Sequence, residues 1–165
     1  MLFMHLFSLL FIGSLTLTAC GFHLRGSYYI PPELAQLSLK IEPYSALNQP
    51  LRQRLQQAGI ELSANEYTLE IKDDSLNRQT TNTDSRAKAA EYTLYYQVSY
   101  VIKNSQNKVV FDERKLLLRR SYQYDTTAIV GKTAEEETLV KELYEDAATQ
   151  IVRQLSSFRP ASNTP

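Results

Sequence analysis

The chain has 165 residues, and its 18 basic and 18 acidic side chains give a formal net charge of zero. A balanced charge argues against a general nucleic-acid binder, which usually presents an excess of Lys and Arg. It is compatible with a local basic patch. The length suits one ordinary domain, and no apolar run of membrane length follows the N-terminal segment.

The first 19 residues have the composition of an export signal. They contain no Asp, Glu, Lys or Arg, and the run from Leu2 to Leu17 is almost entirely apolar. This run is shorter than the roughly 20 apolar residues of a membrane-spanning helix, and it ends at small residues, as a secretory signal does. A basic start is usual for such signals, whereas only His5 is present here, which leaves the start of translation open.

Cys20 is the only cysteine of the chain. An exported protein with one cysteine forms no internal disulfide, so the odd thiol needs another explanation. The segment Leu17-Thr18-Ala19-Cys20 resembles the bacterial lipobox, whose cysteine is acylated and becomes the new N-terminus. We therefore predict a removed signal over residues 1–19 and lipidation at Cys20. Gly21, where an Asp tends to cause inner-membrane retention, resembles the outer-membrane class. An ordinary signal that ends beside a cysteine is the alternative.

Hydrophobic periodicity predicts the elements in chain order. A lipidated lead covers residues 20–32, where Pro31-Pro32 argues against a helix. Leu37–Ile41 alternates as a strand, and Leu47, Leu51, Leu55 and Ala58 predict a helix that Gly59 ends. The later strands are Tyr67–Lys72, Glu91–Ile102 and Val109–Tyr124, the last with a bulge or a twist near Asp112–Lys115. Polar residues Asp73–Ala90 predict a long hairpin connection, with strand extensions left open, and Asn104–Asn107 predicts a turn.

A capping box of Thr133 and Glu136 predicts a final helix that ends near Phe158, after a loop from Asp125 to Thr133. Glu135, Glu136 and Glu137 then lie at the positive end of its dipole. The apolar stripe of this helix comprises Leu139, Leu143, Ala147, Ile151, Leu155 and Phe158.

The order β-α-β-β-β-α predicts an α+β fold, a two-layer sandwich with two helices packed on one face of a four-stranded mixed sheet. We assign residues 33–158 to this single domain and residues 159–165 to a disordered tail. The many tyrosines of the strands favour a sheet whose second face is partly wet or covered by a partner.

The residues do not favour an enzyme. After removal of the signal, His23 is the only histidine, which leaves no Ser-His-Asp set and no His or Cys cluster for a metal. The acidic runs Asp73-Asp74 and Glu135–Glu137 are typical of solvated caps. No cofactor motif is present.

A binding surface is the better interpretation, because basic residues cluster in two loops. Arg78, Arg86 and Lys88 lie in the predicted hairpin connection, and Lys132 precedes the last helix. A further set occupies the fourth strand: Arg114, Lys115, Arg119 and Arg120. Arg and Lys beside tyrosines suit an amphiphile with phosphate groups and acyl chains. Charges that only keep strand edges soluble are the alternative.

Three motifs resemble the LPS-assembly lipoprotein family, LptE. They are the heptapeptide Cys20–Gly26, the segment Ala90-Glu91-Tyr92 that opens the central strand, and Leu139–Tyr144 of the final helix. The resemblance implies two helices on a four-stranded sheet and an outer-membrane location, facing the periplasm. It implies a β-barrel partner, which the lipoprotein plugs, and direct binding of lipopolysaccharide (LPS) during delivery to the outer leaflet. It also implies LPS contacts at Arg86 and Lys132, to which we add the neighbouring Lys88.

Two alternatives remain at this point. One is a stand-alone periplasmic lipid carrier, which would enclose an apolar cavity. The other is a lipid-anchored hydrolase, which the histidine count disfavours.

The lipobox predicts that Cys20→Ser abolishes acylation and leaves the chain unprocessed or soluble, because oxygen replaces the sulfur that accepts the lipid. Mass spectrometry of the mature N-terminus measures this. An unmodified cysteine in the wild type, or cleavage elsewhere, would contradict the lipoprotein assignment.

Overall fold

The computed structural model describes residues 29–83, 89–123 and 129–159, without the side chains at 89, 90 and 129–132. A single 3-10 turn covers Pro32–Leu34. The strands and helices that follow are β1 (Gln36–Lys40), α1 (Asn48–Gln57), β2 (Glu61–Leu62), β3 (Tyr67–Thr83), β4 (Ala89–Asn104), β5 (Val109–Gln123) and α2 (Ile129–Leu155).

The strands form one five-stranded mixed sheet in the order β2-β1-β3-β4-β5. β1 is parallel to both β2 and β3, whereas β4 is antiparallel to β3 and β5. The predicted α+β class with a mixed sheet and two helices is confirmed. The predicted number of four strands is wrong, because β2 has only two residues and is too short to show any periodicity in the sequence.

The predicted elements between Tyr29 and Gly59 are confirmed except at one turn. Pro31-Pro32 argued against a helix, yet Pro32 begins the 3-10 turn, since a first helical position needs no N–H. The α1 helix is confirmed, with Leu47, Leu51 and Leu55 fully buried. Gly59 ends it with φ of 83°, a left-handed conformation that glycine adopts without strain.

The β3–β4 hairpin is much longer than predicted. The sequence assigned Asp73–Ala90 to a connection, but β3 continues to Thr83 and β4 begins at Ala89. A register shift between Ile71 and Asp73 explains the error. The extra residue, Lys72, reverses the alternation of β3, so that odd-numbered residues face the helices before it and even-numbered residues after it.

A second irregularity lies in β5, close to the first. Ile102 pairs with Phe111 and Tyr100 pairs with Arg114, so β5 has one more residue than β4 between these pairs. The bulge predicted near Asp112–Lys115 is thus confirmed. The predicted turn is confirmed as well. The Asn104 side chain accepts bonds from the backbone N–H groups of Gln106 and Lys108, and Asn107 has φ of 61°.

The final helix begins five residues earlier than predicted. α2 starts at Ile129, so Thr133 is an interior residue and not its N-cap. Ile129, Val130 and Gly131 are weak helix formers, but extending a helix that has already nucleated adds one hydrogen bond for each residue fixed. The helix ends at Leu155, and a turn follows it to the buried Phe158.

One face of β4 forms the centre of the core. Leu94, Tyr96, Val98, Tyr100 and Ile102 are all at most 1% exposed. They share one cluster with the predicted stripe of α2 and with the leucines of α1. The ring centroids of Tyr96 and Tyr144 of α2 lie 4.7 Å apart. The Tyr100 hydroxyl donates to the Gln154 side chain of α2 at 2.7 Å. α2 therefore runs along β4 on this face.

The part of the chain that the structure describes contains no helix that is long and apolar enough to span a membrane.

Leu143→Ala tests the position of the α2 stripe. Leu143 is fully buried, so the change should lower the free energy of unfolding by about 2 to 5 kcal/mol. The matched control is Leu117→Ala on β5, where the side chain is 68% exposed and the expected change is within about 0.5 kcal/mol. Urea denaturation of both variants measures the difference. Equal losses would contradict this core.

Candidate functional site

The connection that carries Arg86 and Lys88 and the connection that leads to α2, which contains Lys132, both leave from one end of the sheet. β3 ends at Thr83, which pairs with Ala89 of β4, and Gln123 at the end of β5 pairs with Glu91. Residues 84–88 join β3 to β4 at this end, and residues 124–128 join β5 to α2. We call it the loop end, defined by Thr83, Ala89 and Gln123.

Four side chains tie α2 to the sheet near the loop end. Arg78 of β3 donates to both carboxylate oxygens of Glu136, at 3.3 and 3.1 Å. The Tyr122 hydroxyl of β5 donates to the same carboxylate. The Arg78 guanidinium carbon also lies 5.0 Å from the centre of the Tyr92 ring, a cation–π distance. We refer to Arg78, Tyr92, Tyr122 and Glu136 as the Glu136 cluster.

The electrostatics of the Glu136 cluster favour its hydrogen-bonded state. Burial, followed by the bond to Glu136, raises the pKa of Tyr122 to about 12. The phenol is therefore a proton donor throughout the physiological range. Hydrogen bonds to Tyr122 and Glu136 raise the pKa of Arg78 above its ordinary value. The cluster thus joins β3, β5 and the second turn of α2 through one carboxylate.

The predicted basic set on β5 has mainly structural contacts. Arg120 donates to Asp146 of α2 and lies 3.6 Å from Glu142. Arg114 stacks on Phe111 at 4.9 Å from the ring centre. Lys115 lies 3.9 Å from Glu113. Arg78, which the sequence placed in a loop, lies on β3 and pairs with Glu136. These cations are therefore weaker ligand candidates than their clustering in the sequence indicated.

The predicted ligand contacts are only partly covered by the described residues. Cys20, Arg86 and Lys88 lie outside them. Lys132 is described in its backbone alone, as the fourth residue of α2 and not as the predicted loop residue before that helix. Whether Arg86 and Lys132 approach each other stays a prediction.

The acidic run of α2 does not occupy the position predicted for it. Because the helix begins at Ile129, Glu135, Glu136 and Glu137 lie in the second and third turns, and the first turn contains no acidic residue. Unpaired N–H groups of a long helix point out of its first turn and favour an anion. No acidic side chain of the first turn therefore competes with an anion for these N–H groups.

Two tyrosines of β4 lie in the core and not on the face of the sheet opposite α2. Tyr96 and Tyr100 are fully buried, and burial raises the pKa of both phenols. The Tyr96 hydroxyl donates to Asp74 at 2.6 Å. Tyr95 of β4 lies on the opposite face of the sheet, where its strand partners are Asn77 of β3 and Arg119 of β5. Tyr96 and Tyr100 therefore belong to the core, and a second face that is partly wet or covered by a partner stays a prediction.

The remaining acidic run has structural partners as well. Asp74 accepts hydrogen bonds from Tyr96 and Ser45, and Asp73 accepts one from Gln97 at 3.0 Å. Within residues 29–83, 89–123 and 129–159, no group of three or more His, Cys, Asp and Glu side chains has an arrangement that would hold a metal ion.

The sequence of the chain matches a family of known proteins. The family model described as LptE, lipopolysaccharide-assembly, matches residues 34–155. The LPS-assembly lipoprotein LptE of Photorhabdus laumondii is 32% identical over 158 residues, covering 93% of this chain and 86% of that protein. The protein of the same name from Yersinia enterocolitica is 31% identical, covering 89% of this chain and 73% of that protein.

Solved lipoprotein structures share the fold. A minor lipoprotein from Acinetobacter baumannii superposes with a TM-score of 0.69 at 28% identity, covering 82% of this chain and all of that chain. Rare lipoprotein B from Shewanella oneidensis gives a TM-score of 0.65 at 31% identity, covering 74% of this chain and 94% of that chain.

Glu136→Ala tests whether the Glu136 cluster holds the start of α2. The substitution removes the acceptor shared by Arg78 and Tyr122, which should lower the free energy of local unfolding at the start of α2 by about 1.4 kcal/mol. Backbone amides of residues 130–137 should therefore exchange with deuterium about tenfold faster. Amides of residues 143–155 should stay protected by the core.

Glu137→Ala is the matched control, because it removes the same charge one residue further along α2. Hydrogen–deuterium exchange with peptide mass spectrometry compares the two. Equal exchange in both variants would show that the cluster does not hold the helix start.

Proposed function

Because the chain belongs to the LptE family of lipopolysaccharide-assembly lipoproteins, we propose that it plugs the LPS-assembly β-barrel of the outer membrane and binds LPS there. In this role it stabilises the barrel and helps deliver LPS to the outer leaflet. Membership of the family supports a role in LPS assembly as a membrane-associated lipoprotein without an enzymatic role. The barrel partner, the outer membrane and the mode of delivery are part of the proposal.

Anchoring at Cys20 agrees with both the lipobox and the relatives, all of which are lipoproteins by name. A single acyl chain binds a membrane only marginally, whereas several chains hold a protein there durably. A lipidated Cys20 would lie nine residues before Tyr29, where the described part begins.

The loop end is the proposed LPS-binding site, and the position of Lys132 is the observation that carries this assignment. Glu136 contacts Arg78 and Tyr122 at this end, and Lys132 precedes Glu136 by about one helical turn, or 6 Å. Arg86 and Lys88 belong to the connection that leaves from the same end. LPS carries phosphates, which suit Arg and Lys donors beside a helix N-terminus.

The face of the sheet that α2 does not cover supports a location inside a wet barrel. Thr81, Thr93 and Ser121 form a row of hydroxyl hydrogen bonds across three strands, at 3.1 and 2.8 Å. Gln97 and Asp73 add a polar pair on the same face. Polar side chains are favoured in the lumen of a large outer-membrane barrel, whose interior is hydrated.

Copurification tests the partner directly. The full chain, tagged and extracted from membranes of its host in mild detergent, should bring down one large β-barrel protein in equimolar amount. A lipoprotein that is recovered alone with bound lipid would contradict the plug and favour the carrier. Quantitative mass spectrometry measures the ratio.

Arg86→Asp combined with Lys132→Asp tests the LPS contacts. Each substitution replaces an attraction for phosphate by a repulsion, so the Kd for LPS should rise at least tenfold. A tenfold rise corresponds to a loss of about 1.4 kcal/mol in the free energy of binding. High salt should also weaken binding by the wild type, because exposed charges are screened. Titration of purified complex with LPS measures both effects.

The control variant combines Arg153→Asp with Lys108→Asp, which changes the charge equally at exposed positions away from the loop end. Both variants should remain folded and should still copurify with the barrel. If the loop-end variant binds LPS as tightly as the control does, the assignment of Arg86 and Lys132 is wrong.

A further inference from the structure

Three lysines surround a single carboxylate on the face of the sheet opposite α2. The Glu70 carboxylate lies 2.6 Å from Lys103, 3.4 Å from Lys40 and 3.6 Å from Lys72. The Glu70 side chain is only 10% exposed, whereas those of Lys40 and Lys72 are 70% and 48% exposed. We call Lys40, Glu70, Lys72 and Lys103 the lysine cluster.

Strand register and the β3 bulge create the lysine cluster. Lys40 of β1 pairs with Glu70 of β3, and Lys103 of β4 pairs with Thr68, two residues before Glu70. The bulge at Lys72 leaves both Lys72 and Asp73 on the face away from α2. Three adjacent strands thus present their ammonium groups at one place, although the lysines are far apart in sequence.

The charge balance of the lysine cluster leaves an excess of two positive charges. The hydrogen bond from Lys103 lowers the pKa of Glu70, with further lowering by Lys40, so this carboxylate is ionised at neutral pH. It neutralises the half-buried Lys103, with which it makes the shortest contact. Lys40 and Lys72 are the exposed cations that remain. Two ammonium groups held near each other favour phosphate, which accepts several charge-assisted hydrogen bonds.

The lysine cluster lies at the end of the sheet where the N-terminal lead enters the domain. Tyr29, Pro31 and Pro32 line a groove with Phe158, and the Phe158 and Tyr67 ring centroids are 5.4 Å apart. Tyr67 begins β3, so Glu70 lies about 10 Å further along that strand. We call this the lead end, defined by Tyr29, Tyr67 and Phe158.

The length of the lead places the lead end near the membrane. Tyr29 is nine positions after Cys20, a stretch that spans at most about 30 Å when fully extended. An anchor at Cys20 therefore keeps the lead end within that distance of the headgroups. The loop end lies up to about 43 Å from Glu70, since Thr83 is thirteen positions further along β3. The lysine cluster and the proposed LPS site are thus separate.

We propose that the lysine cluster binds anionic phospholipid headgroups of the leaflet that holds the lipid anchor. Lys40 and Lys72 are well exposed, and Lys72 borders an open groove that Glu42 and Asp73 also line. Their geometry therefore suits a surface of many phosphates better than a single enclosed anion. Binding there would hold the lead end against the leaflet that carries the anchor. The inference rests on the anchoring part of the proposed function and does not require LPS binding.

Lysine footprinting in vesicles tests the proposal. The full acylated protein is reconstituted into vesicles of phosphatidylcholine alone, or of phosphatidylcholine with phosphatidylglycerol, and is treated briefly with an amine-acetylating reagent. In the anionic vesicles at low salt, acetylation of Lys40 and Lys72 should slow about threefold, and high salt should restore it. Acetylation of Lys141, which lies on α2 and is 78% exposed, should not change. Peptide mass spectrometry measures each rate.

Two variants make the test specific. Lys40→Gln with Lys72→Gln leaves the Lys103–Glu70 pair in place, so the protein should fold. In the wild type, headgroups that cover the lysine cluster should also slow the acetylation of Lys103, and this protection should be lost in the variant. Arg119→Gln with Lys141→Gln removes the same charge elsewhere and should preserve that protection. Protection of Lys103 in the first variant equal to that in the second would overturn the proposal.

Two further measurements distinguish a lipid surface from free phosphate, and a failure of the lysine cluster from a failure of the anchor. Inorganic phosphate added to neutral vesicles should protect neither lysine, and protection by free phosphate without protection by anionic vesicles would overturn the lipid-surface proposal. Flotation with both kinds of vesicle reports the anchor independently. A protein that floats but shows equal lysine rates in both vesicles contradicts the lysine cluster and leaves the proposed LPS-assembly role intact.

Discussion

The inward row of β4, packed along α2, is the interaction on which the rest of this structure depends. β4 pairs along its length with a strand on each side, and its five inward side chains are almost completely buried. Tyr96 and Tyr100 satisfy their buried hydroxyls with Asp74 and Gln154, which avoids the cost of an unpaired polar group. This row fixes α2 along the sheet and thereby sets the positions of both ends of the domain.

The two ends have different chemistry, and the long hairpin separates them. At the loop end, Glu136 holds Arg78 and Tyr122 and thereby positions the start of α2, which contains Lys132. At the lead end, Glu70 gathers three lysines near the entry of the chain. In each case one carboxylate positions cations, but Glu136 is matched by the single cation of Arg78, whereas Glu70 is outnumbered by its three lysines.

Much of the fold follows from the sequence, and the errors have physical causes. The alternation of β4 and the stripe of α2 gave the core correctly, because both periods stay uninterrupted over many residues. The bulge at Lys72 reversed the period of β3, so its polar half was predicted as a connection. The Glu136 cluster and the lysine cluster were not predicted, since each joins residues from strands and helices whose register the sequence does not specify. The LPS contacts at Arg86, Lys88 and Lys132 stay predictions, and the ion pairs of Arg78 and Arg120 could not be predicted because they depend on the position of α2.

Depletion of the protein in its native host, followed by labelling of LPS at the cell surface, tests the central claim most directly. The account predicts that surface LPS falls as the lipoprotein is depleted, that newly made LPS accumulates inside the cell envelope, and that re-expression of the wild-type chain reverses both changes. Unchanged delivery of LPS to the surface, in cells verified to lack the protein, would contradict a role in LPS assembly.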